Sequence, residues 1–208
     1  MPTLITAGGA SDLLALSAAS DGALTLQTGP SGAKVNALAL DASGNAAFLG
    51  TVSTPRDLVR GARTAFTAVA ATTLINTIPS WATEIVVLLS SFGTNGASQP
   101  VLRLGPSGGP ETTGYLGATG AALGTTGIAL TDGFSATGVA HIVITLRLID
   151  AATNTWMAQG SMSRSDGASS SSIAATKPLA GALTQLQVTT TGGTDTMDTT
   201  GFYNVWYR

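Results

Sequence analysis

Apolar and polar residues alternate strictly along several stretches of this chain, and the alternation predicts β-strands. In HIVITLRLI, Ile142, Ile144, Leu146 and Leu148 fall on one face and His141, Val143, Thr145 and Arg147 on the other. In LTQLQVTT, Leu186 and Val188 oppose Gln185, Gln187 and Thr189. A period of two marks a sheet with one buried and one wet face. EIVVLLSSF, from Glu84 to Phe92, is nearly continuous in apolar residues and predicts a buried strand; the Asn95-Gly96 pair after it is favoured in tight turns. Shorter runs at Leu74–Thr77, Val101–Leu104, Thr113–Leu116, Gly127–Leu130, Thr155–Met162, Ser172–Thr176 and Phe202–Tyr207 complete the set. About eight to ten short strands between Gly/Ser-rich turns predict a jelly-roll-like β-sandwich over residues 63–208.

Residues 1–53 carry a thinner pattern. Leu14-Ala15-Leu16 leads through Ser20-Asp21-Gly22 to Leu24-Thr25-Leu26-Gln27, and Leu38-Ala39-Leu40 leads through Ser43-Gly44-Asn45 to a second short strand. Each reads as a hairpin with almost nothing behind it. Isolated hairpins are marginal in water, and a solenoid core needs about three repeats where this chain offers two. The missing apolar partner is expected to be another copy of the chain, so the region predicts a β-hairpin shaft held together by oligomerisation. Between the regions, TPRDLVRGA presents Thr54 as an N-cap, Pro55 at the first helical position, Asp57 in the first turn and Gly61 as a stop. These signals predict a brief helical connector over 54–62. The expected fold class is all-β, with a short N-terminal hairpin shaft, that connector and a C-terminal sandwich.

Composition narrows the functional classes. Only 10% of the 208 residues are charged, against about 25% in ordinary soluble domains, and the chain has 26 glycines. With a net charge of −2 and its nine basic residues scattered singly, it lacks the electrostatic footprint of a nucleic-acid binder. The absence of cysteine removes disulfides, thiolate zinc sites and a cysteine nucleophile. The N-terminus has no basic segment before a continuous apolar run, and the longest apolar stretch, Ile85–Leu89, is too short to span a bilayer. Synthesis in a cytoplasm without membrane insertion is the expectation.

Candidate chemistry is sparse. His141 is the only histidine, on the polar face of its strand, and no Gly-x-Ser-x-Gly elbow accompanies it. Glu84 and Glu111 are the only glutamates; Glu84 is expected at the entrance to a core strand and Glu111 in a Gly/Pro loop, so neither nominates a glycosidase pair. Asp195 and Asp198 in DTMDTTG offer oxygen ligands for Ca²⁺ without the spacing of an EF-hand, and a solvated loop is the simpler reading. No catalytic residue, resident metal or cofactor is therefore assigned. The stretch Gly105–Gly127 reads either as an exposed apical loop presenting Tyr115 for stacking, or as strands and turns with Tyr115 in the core. Trp156 and Trp206 are expected in core or interface, and Trp81 as a plug at the base of the sandwich.

Two stretches carry a family resemblance. Ala23–Pro55, with its Leu-x-Leu-Gln-Thr strand, Asp-x-Ser-Gly-Asn hairpin and Phe-x-Gly-Thr-Val-Ser exit, resembles a short β module of tailed-bacteriophage fibres. Ile78–Gly109, with Ile-Pro-Ser-Trp, an apolar strand, Thr-Asn-Gly and a Leu-x-Leu-Gly strand, resembles a C-terminal domain of phage virion proteins. The resemblance implies an elongated homotrimer, its N-terminal region docked on other virion proteins and its C-terminal knob turned outward. The implied function is a short tail fibre or receptor-binding protein that attaches to a host surface glycan or protein. A head, neck or collar fibre or adaptor binding only virion proteins is the alternative, and a depolymerase is disfavoured by the shortage of carboxylates and aromatics. At 208 residues the shaft is short for a long tail fibre. Receptor contact is expected on Tyr115 with Thr112, Thr113 and Thr119 beside it.

Overall fold

The alternating stretches are strands, and every pairing among them is antiparallel. The computed structural model describes residues 58–208 apart from 68, 69, 76 and 168, together with five N-terminal strands. No helix occurs among the described residues. The chain forms two compact units, Met1–Pro55 and Arg56–Arg208.

The first unit is one sheet of five strands in sequence order: β1 (Leu4–Thr6), β2 (Leu13–Ala18), β3 (Leu24–Thr28), β4 (Val35–Leu40) and β5 (Ala46–Phe48). Both expected hairpins form, as β2–β3 and β4–β5. Pairing of β3 with β4 joins them, which the thin pattern did not announce. The register aligns Leu16, Leu26, Leu38 and Phe48 across four neighbouring strands.

The second unit opens with β6 (Val59–Arg60), β7 (Thr64–Ala65) and β8 (Thr72–Ile75), followed by β9 (Glu84–Phe92), β10 (Pro100–Gly105), β11 (Leu116–Thr119), β12 (Ala122–Leu123) and β13 (Ile128–Ala129). The long strands β14 (Ala140–Asp150), β15 (Thr155–Arg164) and β16 (Ser169–Pro178) come next, then β17 (Gln185–Thr190) and β18 (Phe202–Tyr207). They make a nine-stranded sheet, β12-β11-β16-β15-β14-β9-β18-β6 with β7 also on β18, and a four-stranded sheet, β13-β10-β17-β8. One apolar core holds the two together in a sandwich-like arrangement. Ile85, Val87 and Leu89 of β9 and Ile142, Ile144 and Leu146 of β14 meet Leu102 and Leu104 of β10 and Leu186 and Val188 of β17. The period-two reading of β14 holds, with His141, Val143 and Arg147 exposed on the opposite face. Thr189 departs from it: expected on the wet face, it is buried and donates its hydroxyl to the Ala71 carbonyl at 3.0 Å.

Two expectations need correction. The described part of the connector is extended: Val59 and Arg60 pair with Tyr207 and Trp206, and the Gly61 amide donates to Val205 O at 2.9 Å. The capping signal at Thr54, Pro55 and Asp57 lies outside the described residues, and from Val59 onward the open edge of β18 supplies hydrogen-bond partners that one turn of helix would have to replace. Trp81 does not plug the sandwich, since 61% of it is exposed. Its neighbours Ile78 and Ala82 take the buried positions instead.

Gly160 sits opposite Ile144 of β14 and Ile173 of β16, where an added Cβ would lie 2.0 Å from the Val143 carbonyl oxygen. Backbone, not a flexible side chain, blocks the space. Gly160→Ala is expected to destabilise the second unit by about 1–3 kcal/mol, as overpacking does, measured by urea unfolding. Unchanged stability would contradict the close approach of β14 and β15.

Candidate functional site

The residues first expected to contact a receptor do not form one surface. Tyr115 is 3% exposed, and its ring belongs to the core. Its hydroxyl accepts the Leu104 amide at 2.7 Å and donates to the Glu111 carbonyl at 2.9 Å. Burial pushes the phenol up to about 12, against a smaller opposing effect of the Leu104 amide. The ring is closed to an external ligand, so its stacking role is withdrawn and the alternative reading, Tyr115 in the core, applies. Thr119 is also buried, donating to the Ala129 carbonyl at 2.5 Å. Thr112 and Thr113 alone are exposed.

A charged pair next to Tyr115 explains why this glycine-rich stretch is held inward. Lys177, 4% exposed, places its ammonium on the Glu111 carboxylate, donates to the Pro178 carbonyl at 2.7 Å, and lies 5.4 Å from the centre of the Tyr115 ring. Glu111 also accepts the Ala180 amide at 2.8 Å. Burial raises the Glu111 carboxyl, but the Lys177 and Ala180 hydrogen bonds and the Lys177 charge outweigh it and hold the group below its ordinary value. A second anchor fixes the segment before β14. Asp132 accepts Ser169 and Ser171 hydroxyls at 2.5 and 2.7 Å, and Arg164 Nε lies 2.9 Å from its other oxygen. Burial raises Asp132 as well, and these hydroxyls and the Arg164 charge pull it below the usual carboxylate range.

The remaining candidates are accounted for within the fold. His141 is exposed beside a bulge, its Nδ1 accepting the Ser91 amide at 3.3 Å, where Ser91 has φ of 51°. Asp195 accepts the Ser98 amide at 2.8 Å and, with Asp198, packs on the glycines of the 93–98 turn. Among the described residues no three His, Cys, Asp or Glu side chains cluster as metal ligands. Glu84 stands at the start of β9, as expected, and pairs with Arg147 at 3.1 Å and Arg208 at 2.9 Å. Trp156 is core, and Trp206 is half-buried with Arg60 over its ring at 4.9 Å.

Among the described residues, two places group exposed apolar side chains. The outward positions of β12, β11, β16 and β15 hold Leu123, Leu116, Ala118, Ala174, Met157 and otherwise small polar residues, with no ionised side chain among them. Leu116 and Leu123 are 72% and 76% exposed. The other surface is a cleft of about 300 Å³ between β8 and β18, lined by Leu74, Ile75, Thr77, Tyr203, Val205 and Tyr207, with Gly61, Ala62 and Thr64 closing one side. Exposed Trp81 packs edge-on to Tyr207, ring centres 5.7 Å apart at 69°. Sequence reasoning missed this site. The signal lay in FYNVWY, whose aromatics alternate onto both faces, so that neither face is wholly core.

The anchor at Tyr115 yields two expected outcomes. Tyr115→Phe leaves the buried Leu104 amide without its acceptor and should cost about 1–3 kcal/mol, read as a fall in Tm; an unchanged Tm would contradict the anchor. Glu111 is ionised more readily folded than unfolded, so its contribution is present above its ordinary value of 4.5 and is lost as pH falls through the lower folded value. Urea stability should therefore decline between about pH 5 and pH 3, and decline less steeply in Glu111→Gln. Equal slopes would exclude Glu111 as a contributor.

A scan against protein-family models and searches of curated proteins and of solved structures found no match to this chain.

Proposed function

We propose that the chain is a non-enzymatic structural virion protein of a tailed phage, a short tail fibre or receptor-binding protein that attaches to the host surface. In this reading three copies assemble, the first unit forms the shaft that docks on other virion proteins, and the second is a jelly-roll-like knob. The supporting observation is the order of two units: a small hairpin sheet, Met1–Pro55, followed by a larger β unit, Arg56–Arg208, the order that the resembling motifs carry. The uncharged outward face around Leu116 and Leu123 adds support, because contiguous apolar surface on a soluble protein marks contact sites. A second copy suits that face: it offers leucines beside small residues and no charge that burial would strand.

Light scattering should give a mass near three times 20.6 kDa, and the purified protein should adsorb to cells of the phage's host and compete with the phage for them. A stable, folded monomer would contradict the assembly. Attachment to virions without any binding to cells would move the assignment to a head, neck or collar fibre.

A further inference from the structure

We propose that the cleft between β8 and β18 binds one ring of an uncharged oligosaccharide, with Trp81 as the rim and Tyr203 and Tyr207 as the polar walls. The inference deepens the attachment reading and rests on it for its biological setting; its chemistry comes from the residues of the cleft.

Both sheets end at this place. β8 is the last strand of the four-stranded sheet, and β6 and β7 close the nine-stranded sheet beside β18. The inward row of β18, Tyr203, Val205 and Tyr207, is thus only partly covered, and an opening of about 300 Å³ remains. That lies at the lower end of small-molecule pockets, about 300–1,000 Å³, and suits a single ring better than a polypeptide.

The lining is amphipathic in the way a sugar requires. Leu74, Ile75 and Val205 contribute apolar side chains to the lining, and Tyr203, Tyr207, Thr77 and Thr64 are hydroxyl-bearing residues of it, the Thr64 hydroxyl donating to the Ala62 carbonyl at 3.3 Å. Among the described residues no hydrogen bond engages the Tyr203 or Tyr207 hydroxyl, whereas the enclosed Tyr115 hydroxyl is fully engaged. A sugar presents C–H faces to rings and hydroxyls to such groups, and Tyr and Trp supply that contact with little side-chain entropy to lose.

Trp81 supplies the second observation. Exposing 61% of an indole leaves a large apolar surface in water. The ring is nonetheless held in place, between buried Ile78 and Ala82, by the turn in which the Ala82 amide donates to Pro79 O at 3.0 Å, and by Tyr207. Trp81 is not itself in the lining, but it packs on Tyr207, which is, and a fixed, exposed ring beside a cleft is preorganised for a flat ligand. Among the described residues no ionised side chain lines the cleft, and Glu84, Arg147 and Arg208, at the ends of β9, β14 and β18, are occupied with one another. The described lining therefore suits an uncharged ligand better than a charged one.

The test is saturation-transfer NMR on the full chain with cellotriose, maltotriose and chitotriose. Saturable transfer to at least one trisaccharide is expected. Trp81→Ala should weaken binding at least ten-fold and Tyr203→Phe about five-fold, the weight of one neutral hydrogen bond, both with unchanged Tm. Val143→Ser, exposed on β14 and outside the cleft lining, should bind as the parent does. No saturable transfer to any of the three sugars overturns the inference, as does transfer undiminished in both cleft variants, or a cleft variant that loses binding only by losing its oligomeric state. Sugar binding without adsorption to cells would sustain the cleft and contradict the attachment reading; adsorption without sugar binding would do the reverse.

Discussion

Nine strands face four across the core of the second unit, and the smaller sheet cannot cover the larger. The inward rows of β9, β14 and β15 are too apolar to be left in water, so chain outside the strands must complete the cover. Phe66, Ile78, Tyr115, Leu130, Leu179 and Leu183 all lie outside the strands, and all belong to the same core cluster. The loops of this unit are therefore structural. A segment such as 105–115 looks like a free loop by composition and behaves as part of the lid. Where the lid stops, between β8 and β18, the cleft begins.

Holding loops inward with so few charges calls for each charge to be placed. Among the described residues ion pairs are few: Glu111 with Lys177 on β16, and Asp132 and Asp166 with Arg164 on β15, tie connections to strands, while Glu84 joins β9 to Arg147 of β14 and to Arg208 after β18. Hydroxyls and side-chain amides add to this, as with Ser169 and Ser171 on Asp132, Thr119 on the Ala129 carbonyl and Gln99 on the Thr131 carbonyl. Exposed surface is left nearly neutral as a result. Such a surface suits apposition of copies and contact with uncharged ligands better than electrostatic recognition, which is why the proposed partners are a second copy and a neutral sugar.

The strands with a long alternating or apolar pattern were legible in advance. β9 and β18 begin and end where Glu84–Phe92 and Phe202–Tyr207 predict, and β14 buries the expected face. Short strands slid: β8 is Thr72–Ile75 where Leu74–Thr77 is expected, and β11 is Leu116–Thr119 where Thr113–Leu116 is expected. Three or four residues of weak pattern do not fix a register; the neighbouring strand does. The candidate site was less legible for a related reason. Tyr115 sits in a run whose glycines and threonines suggest exposure, and what buries it is Lys177, 62 positions away, with Leu104 behind it. Local composition carries no trace of a partner that distant. The helical reading of 54–62 failed likewise from Val59 onward, since a capping signal says nothing of the β18 edge.

Segment 105–116 is a lid anchored to the core, with the Tyr115 ring closed to an external ligand. Native-state hydrogen exchange tests it most directly, because exchange reports whether a segment opens alone or only with the whole unit. The amides of Leu104, Glu111 and Leu116 are expected to exchange as slowly as those of β14, through global unfolding, and Glu111→Gln to accelerate them selectively. Rapid exchange of these amides while β14 stays protected would make the segment a free surface loop and contradict the account.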